Sequence, residues 1–406
     1  MTKQLSRMKK SPVLGLRENA GIFALLVLMS AFVGAMVGFE RSLLTEFTRD
    51  LGLGQLEGTL LMVALFGASK AVANLFTGVL LDQLGRKRTL LLGWLLALQV
   101  PFLLLHGEGT FLVFAANIAL GLSQGFTWST TVIMKIDLVG PKKRGTAMGL
   151  NESAGYLAVG ITSFITAWYF EQSGLLYPIL YGAIGIGLLA LLNTIFFVPE
   201  TTPWAQLEGS QHQEVPKIES NIFLKTTLKD RNLSSITLAG VVNNANDGIL
   251  WALLPTLLLT LGHPLTLAGG LLGTHAAVWG LGQLTTGPLS NKGQLRTLIT
   301  AGMVLQGLSL VWITFFPSHI LPFATLGAGT ALVYPTFMVG ISNQSHPTWR
   351  PKALSAYRFW RDMGYVFGAF LGYLALQFGQ SKTAFLLIAL VTVLSGVYFF
   401  FRYKDA

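Results

Sequence analysis

The stretch AYRFWRDMGY at 356–365 holds three charged side chains, Arg358, Arg361 and Asp362, in an apolar part of the sequence. A charge at the centre of a hydrocarbon layer costs about 2.5–3.5 kcal/mol on insertion scales, so such residues usually face a partner or a water-filled cavity. Arg358 and Asp362 are four residues apart and can pair along one helical face. That pair alone could neutralise and pack the helix, but it leaves Arg361 in need of another carboxylate or of an anionic ligand.

A second polar group occurs in VVNNANDGILW at 241–251. Asn243, Asp247 and Trp251 are spaced four apart and share one helical face, with further amides, among them Asn246, beside it. This density of polar side chains predicts a locally unwound helix that lines a cavity, where the amides and the acid coordinate a ligand. The alternative is interhelical hydrogen bonding, which contributes about 0.6 kcal/mol per contact in membranes.

These residues belong to a chain of 406 residues that is 52% hydrophobic and only 11% charged. Soluble proteins carry about a quarter charged residues, whereas a membrane-spanning helix needs about 20 apolar residues in a row. Such runs recur along the sequence, so we predict an all-α protein that crosses a lipid bilayer twelve times. The predicted spans are 20–41, 58–81, 89–106, 110–136, 144–169, 176–198, 233–260, 266–289, 297–316, 319–345, 353–378 and 382–401.

The Lys and Arg residues are distributed unevenly between these spans. Of the 28, 21 fall in segments on the side of the N-terminus, three in the opposite segments and four within spans, a bias that marks the cytoplasmic side. We therefore predict a bacterial inner-membrane protein with both termini in the cytoplasm, and the net charge of +10 reflects topology rather than nucleic-acid binding. The polar segment before the seventh span predicts three units: an N-terminal six-helix bundle (1–199), a cytoplasmic linker (200–231) and a C-terminal six-helix bundle (232–406).

The two bundles have corresponding sequences. GVLLD at 78–82 corresponds to GPLSN at 287–291, and the Gly-Tyr pair that begins at Gly155 corresponds to the pair that begins at Gly364, both at an offset of 209 residues. Two landmarks with one offset indicate a duplication. Two six-helix repeats with a binding site between them are typical of secondary transporters.

The same offset aligns Glu152 with Arg361, and both lie near mid-depth of their spans. Opposite charges at related positions predict an ion pair that forms and breaks between the halves. We predict that Glu152, Asp247 and Asp362 are the candidates for carrying a proton, because a carboxylate can alternate between an ion pair and its protonated form. Arg358 and Arg361 are then their counter-charges or anchors for an anion.

GVLLDQLGRKR, from Gly78 to Arg88, resembles the loop signature between the second and third spans of the major facilitator superfamily. Gln83 departs from the pattern, because a basic residue is usual there. PETTP at 199–203 is similar to a segment after the sixth span of some members, and the stretch at 356–365 is similar to an uncharacterised bacterial subgroup. The matching residues of the signature are Gly78, Asp82, Gly85, Arg86, Lys87 and Arg88.

This resemblance implies alternating access, in which the halves rock about a central cavity. It implies that Asp82 complements a helix N-terminus across the cytoplasmic gap and that Arg86 to Arg88 anchor their loop at lipid headgroups. The motif then governs conformational change and does not contact substrate. The alternative, that the basic residues only set topology, does not explain the spacing of the glycines and the acid.

Other embedded side chains are predicted to line the cavity, with packing as the alternative for each. Lys70 lies about 18 Å from the cytoplasmic end of its span and should meet an acid or the cavity, whereas Lys135 is close to a span end and should reach the headgroups. The remaining cavity candidates are Gln124, Trp128, Asn243, Asn246, Trp251, His275, Trp279 and Tyr334.

The sequence contains no cysteine, which excludes disulfides and thiol catalysis, and it contains no phosphate-binding loop for ATP. We expect no cofactor, no metal site and no enzymatic activity. We predict a monomeric secondary transporter that exports a small molecule at the expense of a proton gradient. One alternative is an importer of a small anion or metal chelate, favoured by the embedded cations and by the absence of the Gly-Pro-Gly-Gly exporter signature from GLNESAGYLAVG. Another is a non-transporting membrane sensor or assembly factor.

Overall fold

The computed structural model describes residues 12–41, 55–106, 109–211, 221–377 and 381–404. Within these ranges the regular elements are helices and no strand occurs, so the predicted fold class is confirmed. Twelve long helices follow the twelve predicted spans, with ends that differ by a few residues. They are Ala20–Arg41 (α1), Gln55–Leu84 (α2), Arg86–Leu105 (α3), Thr110–Val139 (α4), Arg144–Ser173 (α5), Tyr177–Phe196 (α6), Arg231–Thr260 (α7), Leu265–Ser290 (α8), Leu295–Phe315 (α9), Ile320–Asn343 (α10), Arg350–Gln377 (α11) and Ser381–Arg402 (α12).

The packing of α1 to α6 is repeated by α7 to α12. In the N-terminal half α1 packs on α5, α2 on α4, and α3 on both α4 and α6; in the C-terminal half α7 packs on α11, α8 on α10, and α9 on both α10 and α12. Between the halves α2 packs along α11, and α5 packs along α8. The duplication is therefore present in the packing, and these four helices form the interface at which a central site must lie.

Eight of the helices in the described ranges are long and apolar enough to cross a membrane by length and composition alone. The other four long helices are α5, α7, α8 and α11. They carry embedded polar residues that include Glu152, Asp247, His275 and Arg361, and these side chains are buried in the protein interior. A lower hydropathy in helices that face other helices is consistent with a twelve-span fold, since polar groups in spans normally face the bundle interior.

Helix α7 is continuous from Arg231 to Thr260. The prediction of a locally unwound segment around Asn243 and Asp247 is therefore wrong. The acid and one neighbouring amide find partners on adjacent helices, so the backbone does not have to open to provide them. The predicted chain breaks, in contrast, coincide with helix ends: α5 ends before Gly174, whose φ of 66° is the left-handed cap that glycine adopts without strain.

A short helix, Thr202–Ser210, lies in the segment between the halves and is called the linker helix here. A second short helical stretch at 222–229 follows it, and residues 212–220 lie outside the described ranges. The end of the bundle at which α2 meets α3 and at which the linker helix packs on α4 is called the linker end.

Candidate functional site

A cavity of about 30 Å³ lies between the two halves. Six of its lining residues are aromatic, and Lys70 and His275 are its ionisable groups apart from tyrosine hydroxyls. Tyr156 and Tyr365, which the 209-residue offset relates, both line it. In the sequence these two tyrosines indicated only the duplication, although an aromatic residue repeated at mid-span could also have indicated that both line the cavity. The aromatic lining residues are Phe66, Trp128, Tyr156, Trp251, Trp279 and Tyr365.

The carboxylate of Asp362 joins the two halves beside this cavity. Its Oδ1 lies 3.8 Å from Nζ of Lys70 on α2 and 3.3 Å from Nη1 of Arg361. The amide of Asn74, also on α2, donates to Oδ2, and Nδ2 of Asn244 lies 3.5 Å from Oδ1. The acidic partner expected for Lys70 is thus Asp362, reached across the interface.

A second ion pair crosses between the halves. Nη2 of Arg358 on α11 lies 3.6 Å from Oε1 of Glu152 on α5, and Nη1 of the same guanidinium donates to the Ser129 hydroxyl at 3.1 Å. The Glu152 carboxylate also accepts hydrogen bonds from Nε1 of Trp128 at 3.0 Å and from Nδ2 of Asn151 at 2.7 Å. The local pairing of Arg358 with Asp362 does not occur, because Arg358 pairs with Glu152 and Asp362 pairs with Lys70 and with its neighbour Arg361.

Arg361 does not reach Glu152, its pseudosymmetric counterpart. Its guanidinium carbon lies 4.0 Å from the ring centroid of Tyr334, and its Nε and Nη2 have no hydrogen-bond partner among the described residues. Tyr334 in turn contacts the rings of Tyr156 and Trp279, which line the cavity. Arg361 therefore lies directly behind the aromatic wall, with donor capacity that its single bond to Asp362 does not use.

The acid of α7 is paired within the C-terminal half. Oδ1 of Asp247 lies 3.1 Å from Nε2 of His275 on α8, and both side chains are almost completely buried. One turn away, Trp251 stacks on Tyr365 with centroids 5.3 Å apart. Asn243, on the same face of α7, is fully buried, and neither atom of its amide has a partner in the described part of the chain.

Six of the predicted cavity residues do not line the cavity: Gln124, Asn243, Asn246, Tyr334, Arg358 and Arg361. Two of them have partners on other helices of their own half. Asn246 donates to Gln306 on α9 at 3.1 Å and accepts from Thr392 on α12 at 2.8 Å, and Nε2 of Gln124 donates to the carbonyl of Val33 on α1 at 2.9 Å. The prediction of cavity contacts is corrected for both. For Asn246 the alternative of interhelical hydrogen bonding is the one observed.

Lys135 does not reach the headgroups, because α4 continues to Val139 and the lysine is fully buried. Its Nζ donates to the Ser30 hydroxyl at 2.7 Å and to Oδ1 of Asn151 at 2.6 Å. Because Asn151 also donates to Glu152, this lysine is connected to the second ion pair through one amide. The expectation of snorkelling is therefore corrected.

At the linker end, Asp82 contacts the start of α11. Its Oδ2 lies 2.9 Å from Nζ of Lys352, which is in the first turn of that helix. A Cβ at Gly78 would lie 2.9 Å from Oγ of Ser355 and 3.1 Å from the Pro351 carbonyl oxygen, so the glycine permits close approach of α2 and α11. The acid is placed where it can complement the positive end of the α11 dipole.

The second copy of the motif makes the corresponding contact. Oδ1 of Asn291 accepts the backbone N–H of Gly145 at 2.8 Å, and its Nδ2 donates to Oγ1 of Thr146 at 3.1 Å. Asn291 thus caps the start of α5 as Asp82 meets the start of α11. A Cβ at Gly145 would lie 2.2 Å from the carbonyl oxygen of Gly287, so these two backbones touch.

The basic run of the motif is not a simple headgroup anchor. Arg86 is buried and its Nε donates to Asp137 on α4 at 3.1 Å, which corrects the prediction for this residue; Arg88 remains exposed. The Glu200 carboxylate accepts the backbone N–H groups of Arg86 and Lys87 at 3.1 and 3.0 Å and so caps α3. Gly85, at φ 81°, provides the space, because a Cβ there would lie 2.7 Å from that carboxylate.

The pKa of Glu200 reflects this capping. Burial by itself raises the pKa of the carboxyl group, but hydrogen bonds from the Thr202 hydroxyl and from the backbone of Lys87 and Arg86 outweigh burial and hold the pKa below its ordinary value. Glu200 belongs to PETTP, so this segment closes the α2–α3 loop of its own half.

A further contact at the linker end was not foreseen. Glu208 of the linker helix is buried, and its carboxylate pairs with two arginines. Nη2 of Arg144, the first residue of α5, donates to Oε1, while Nη1 and Nη2 of Arg350, the first residue of α11, donate at 3.0 and 2.9 Å. The prediction of a surface linker is wrong at this residue, because the linker helix bridges the two halves.

The twelve long helices of the described ranges, arranged in two similar halves, are the fold of a multi-pass membrane protein. A family model described as Major Facilitator Superfamily matches residues 22–369 and 236–406. The chain therefore belongs to this superfamily.

Two solved structures have the same fold. The human organic anion transporter MFSD10 (TETRAN) superposes with a TM-score of 0.76 at 14% identity, covering 93% of this chain and 98% of that chain. FucP, crystallised in its outward conformation, gives a TM-score of 0.71 at 15% identity, covering 94% and 98%. Multidrug resistance protein 2 of Bacillus subtilis (strain 168) is 27% identical over 201 residues, which are 48% of this chain and 47% of that protein. The chain thus matches about half the length of this curated relative.

Proposed function

We propose that the chain is a proton-coupled secondary transporter that exports a small molecule across the bacterial inner membrane, as a monomer with both termini in the cytoplasm. The carrying observation is that two buried ion pairs, Lys70–Asp362 and Arg358–Glu152, cross between the halves beside the central cavity. Alternating access requires the halves to rock about this region. Each pair therefore has to rearrange during transport.

Glu152 is the proposed site of proton coupling, with Asp362 and Asp247 as further candidates. In the described part of the chain, its carboxylate accepts hydrogen bonds from Trp128 and Asn151 of the N-terminal half and faces Arg358 of the other half. Protonation would remove the attraction to Arg358 and favour the arrangement in which the halves have shifted. The Asp247–His275 pair is the second candidate, because its carboxylate and imidazole lie 3.1 Å apart in the protein interior.

The linker end is proposed to be the cytoplasmic gate, and the described conformation to be closed there. Three residues bridge the halves at this end, namely Asp82, Asn291 and Glu208. FucP, which has the same fold, was crystallised in an outward conformation, and we propose that this chain is described in a similar state. The domain limits proposed for the rocking units are 1–199 and 232–406, with 200–231 as the linker.

Export is proposed over uptake because the one curated relative described above is named as a multidrug resistance protein. Uptake of a small anion is the second candidate, favoured by the position of Lys70 in the cavity wall. A sensor or assembly factor without transport would show no solute flux at all.

The test is transport in proteoliposomes under an imposed pH gradient, with compound flux and internal pH followed together. The double variant Glu152→Gln, Asp247→Asn should lose the response of flux to the gradient, while Glu171→Gln, which changes an exposed acid in the same way, should behave as wild type. Full proton-driven flux in the double variant would reject the assignment of these acids. The direction of the gradient that accumulates compound distinguishes export from uptake.

A further inference from the structure

We infer that the cargo of the central cavity is an organic anion with an aromatic or otherwise apolar body, and that Lys70 binds its charged group. This inference rests on the proposed transport function and specifies its cargo.

The cavity wall contains one lysine. Among the described residues that line it, Lys70 carries an ammonium group, His275 is the only other basic side chain, and no Asp or Glu is present. The rest of the wall is aromatic or aliphatic. Binding sites of this composition take a ligand with a large apolar surface and use their few polar groups to fix its orientation.

The Lys70 ammonium retains capacity for an anion. Within the described residues its one acidic partner is Asp362 at 3.8 Å, which is beyond ordinary hydrogen-bond distance. Its other neighbours are ring faces: the centroids of Phe66, Trp128 and Tyr365 lie 5.4, 5.5 and 5.9 Å from Nζ. An ammonium group has three donors, so an incoming carboxylate or sulfonate would find donors that no acceptor among the described residues uses.

The surrounding charges also favour an anion. The three cations Lys70, Arg358 and Arg361 contact only two carboxylates among the described residues, those of Asp362 and Glu152, so this cluster has a cationic excess. Behind the wall, Nε and Nη2 of Arg361 have no partner in the described residues. A cationic cargo would instead place its charge next to the ammonium group of Lys70, and no carboxylate lies on the described cavity wall to offset the repulsion. Two like charges in contact repel strongly at low dielectric.

Anion binding at Lys70 would couple cargo to the conformational change. The cargo competes with Asp362 for Lys70, and Asp362 keeps Asn74 and Arg361 as donors when it loses the lysine. Loading therefore weakens one of the two ion pairs that join the halves beside the cavity, Lys70–Asp362 and Arg358–Glu152. The cavity of about 30 Å³ is also far smaller than the roughly 150 Å³ that holds a benzene ring, so an aromatic ligand must separate the stacked rings of the wall.

The test uses three single-ring probes of fixed charge: benzenesulfonate, benzyl alcohol and benzyltrimethylammonium. Binding to the purified full-length protein in detergent is measured by tryptophan fluorescence, because Trp128, Trp251 and Trp279 all line the cavity, and by the shift of the melting temperature. Benzenesulfonate should bind at least about tenfold more tightly than the other two probes. Equal or tighter binding of benzyltrimethylammonium, or no binding of benzenesulfonate, overturns the inference.

The variant Lys70→Gln should reduce benzenesulfonate affinity at least about tenfold and leave benzyl alcohol unchanged. Lys70→Arg should retain most of the affinity, and Lys229→Gln, at an exposed lysine, is the matched control. If Lys70→Gln does not fold, Lys70→Arg and the charge series on the wild type decide the question. An unchanged benzenesulfonate affinity in folded Lys70→Gln contradicts the role of Lys70.

Flux measurements separate the two proposals. If benzenesulfonate binding depends on Lys70 but a pH gradient drives no flux in proteoliposomes, proton-coupled transport fails and the anion site stands. If the gradient drives benzyltrimethylammonium and not benzenesulfonate, the transport function stands and the anion inference is overturned.

Discussion

The bridge made by Glu208 predicts that one neutral substitution opens the linker end. In Glu208→Gln the side chain keeps its size, but Arg144 and Arg350 lose their shared carboxylate. Their side chains are only 5% exposed, and that of Glu208 is 2% exposed, so solvent cannot replace the lost interaction. Breaking a buried ion pair by removing one partner costs about 3–5 kcal/mol.

Because glutamine still accepts a hydrogen bond, we expect the lower end of that range, about 3 kcal/mol, or about a hundredfold in the equilibrium between closed and open linker ends. The absence of cysteine allows clean spin labelling. Labels at Lys142→Cys and Lys292→Cys, both exposed sites on opposite halves, report the distance by pulsed electron paramagnetic resonance. Glu208→Gln should add or enlarge a long-distance population and lower the melting temperature.

The matched control is Glu171→Gln, which removes an exposed carboxylate. Arg350→Gln should have a smaller effect than Glu208→Gln, because the Arg144–Glu208 pair survives it. A distance distribution and melting temperature in Glu208→Gln identical to wild type would refute the reasoning that this carboxylate holds the halves together.

Three further predictions use the same protein. Gly145→Ala should enlarge the long-distance population, because its Cβ would lie 2.2 Å from the backbone oxygen of Gly287; Gly160→Ala, whose Cβ meets no atom within 4 Å, should not. Asp82→Asn should enlarge the long-distance population less than Glu208→Gln does, since an exposed ion pair contributes about 0–1 kcal/mol. A larger population in Asp82→Asn than in Glu208→Gln would contradict this prediction. Because the folded-state pKa of Glu200 is depressed, its ionised form stabilises the protein above the unfolded pKa, and this stability is lost as pH falls through the folded pKa. The melting-temperature difference between wild type and Glu200→Gln should therefore be present at neutral pH and vanish in acid, and a difference that is constant with pH would count against the capping role.

The helices were predictable because each of the twelve apolar runs has the length that a bilayer requires, and the glycines and prolines between them mark the ends. The partners of the charges were not. Spacing along a helix suggested a local pair of Arg358 with Asp362, but the observed partners, Glu152 and Lys70, lie on the other half. The spacing of residues in a single sequence shows which face of a helix a side chain occupies. It does not show which other helix packs against that face.

The duplication predicted the position of the ion pair but not the arginine that forms it. An offset of 209 residues aligned Glu152 with Arg361, whereas the observed partner, Arg358, is three residues earlier on the same face. Pseudosymmetry thus predicted that Glu152 pairs with an arginine of α11 near mid-depth. Which of the two arginines it meets depends on side-chain packing. Lys135 was misassigned because closeness to a predicted span end suggested headgroups, but α4 extends to Val139 and the lysine is buried. Arg86 was misassigned because the motif alone does not show its partner, Asp137 on α4.

The linker end and the central site are connected through the same two helices. α5 begins at Arg144 and carries Glu152 eight residues later; α11 begins at Arg350 and carries Arg358 eight residues later. At 1.5 Å per residue, both central charges lie about 12 Å from their helix starts. Glu208 joins the two starts and the Glu152–Arg358 pair joins the two midpoints. Since a helix transmits displacement along its axis as a rigid element, a shift of α5 relative to α11 should strain both levels together. We therefore predict that the proposed protonation or cargo binding at the centre changes the free energy of the proposed closure at the linker end without any direct contact.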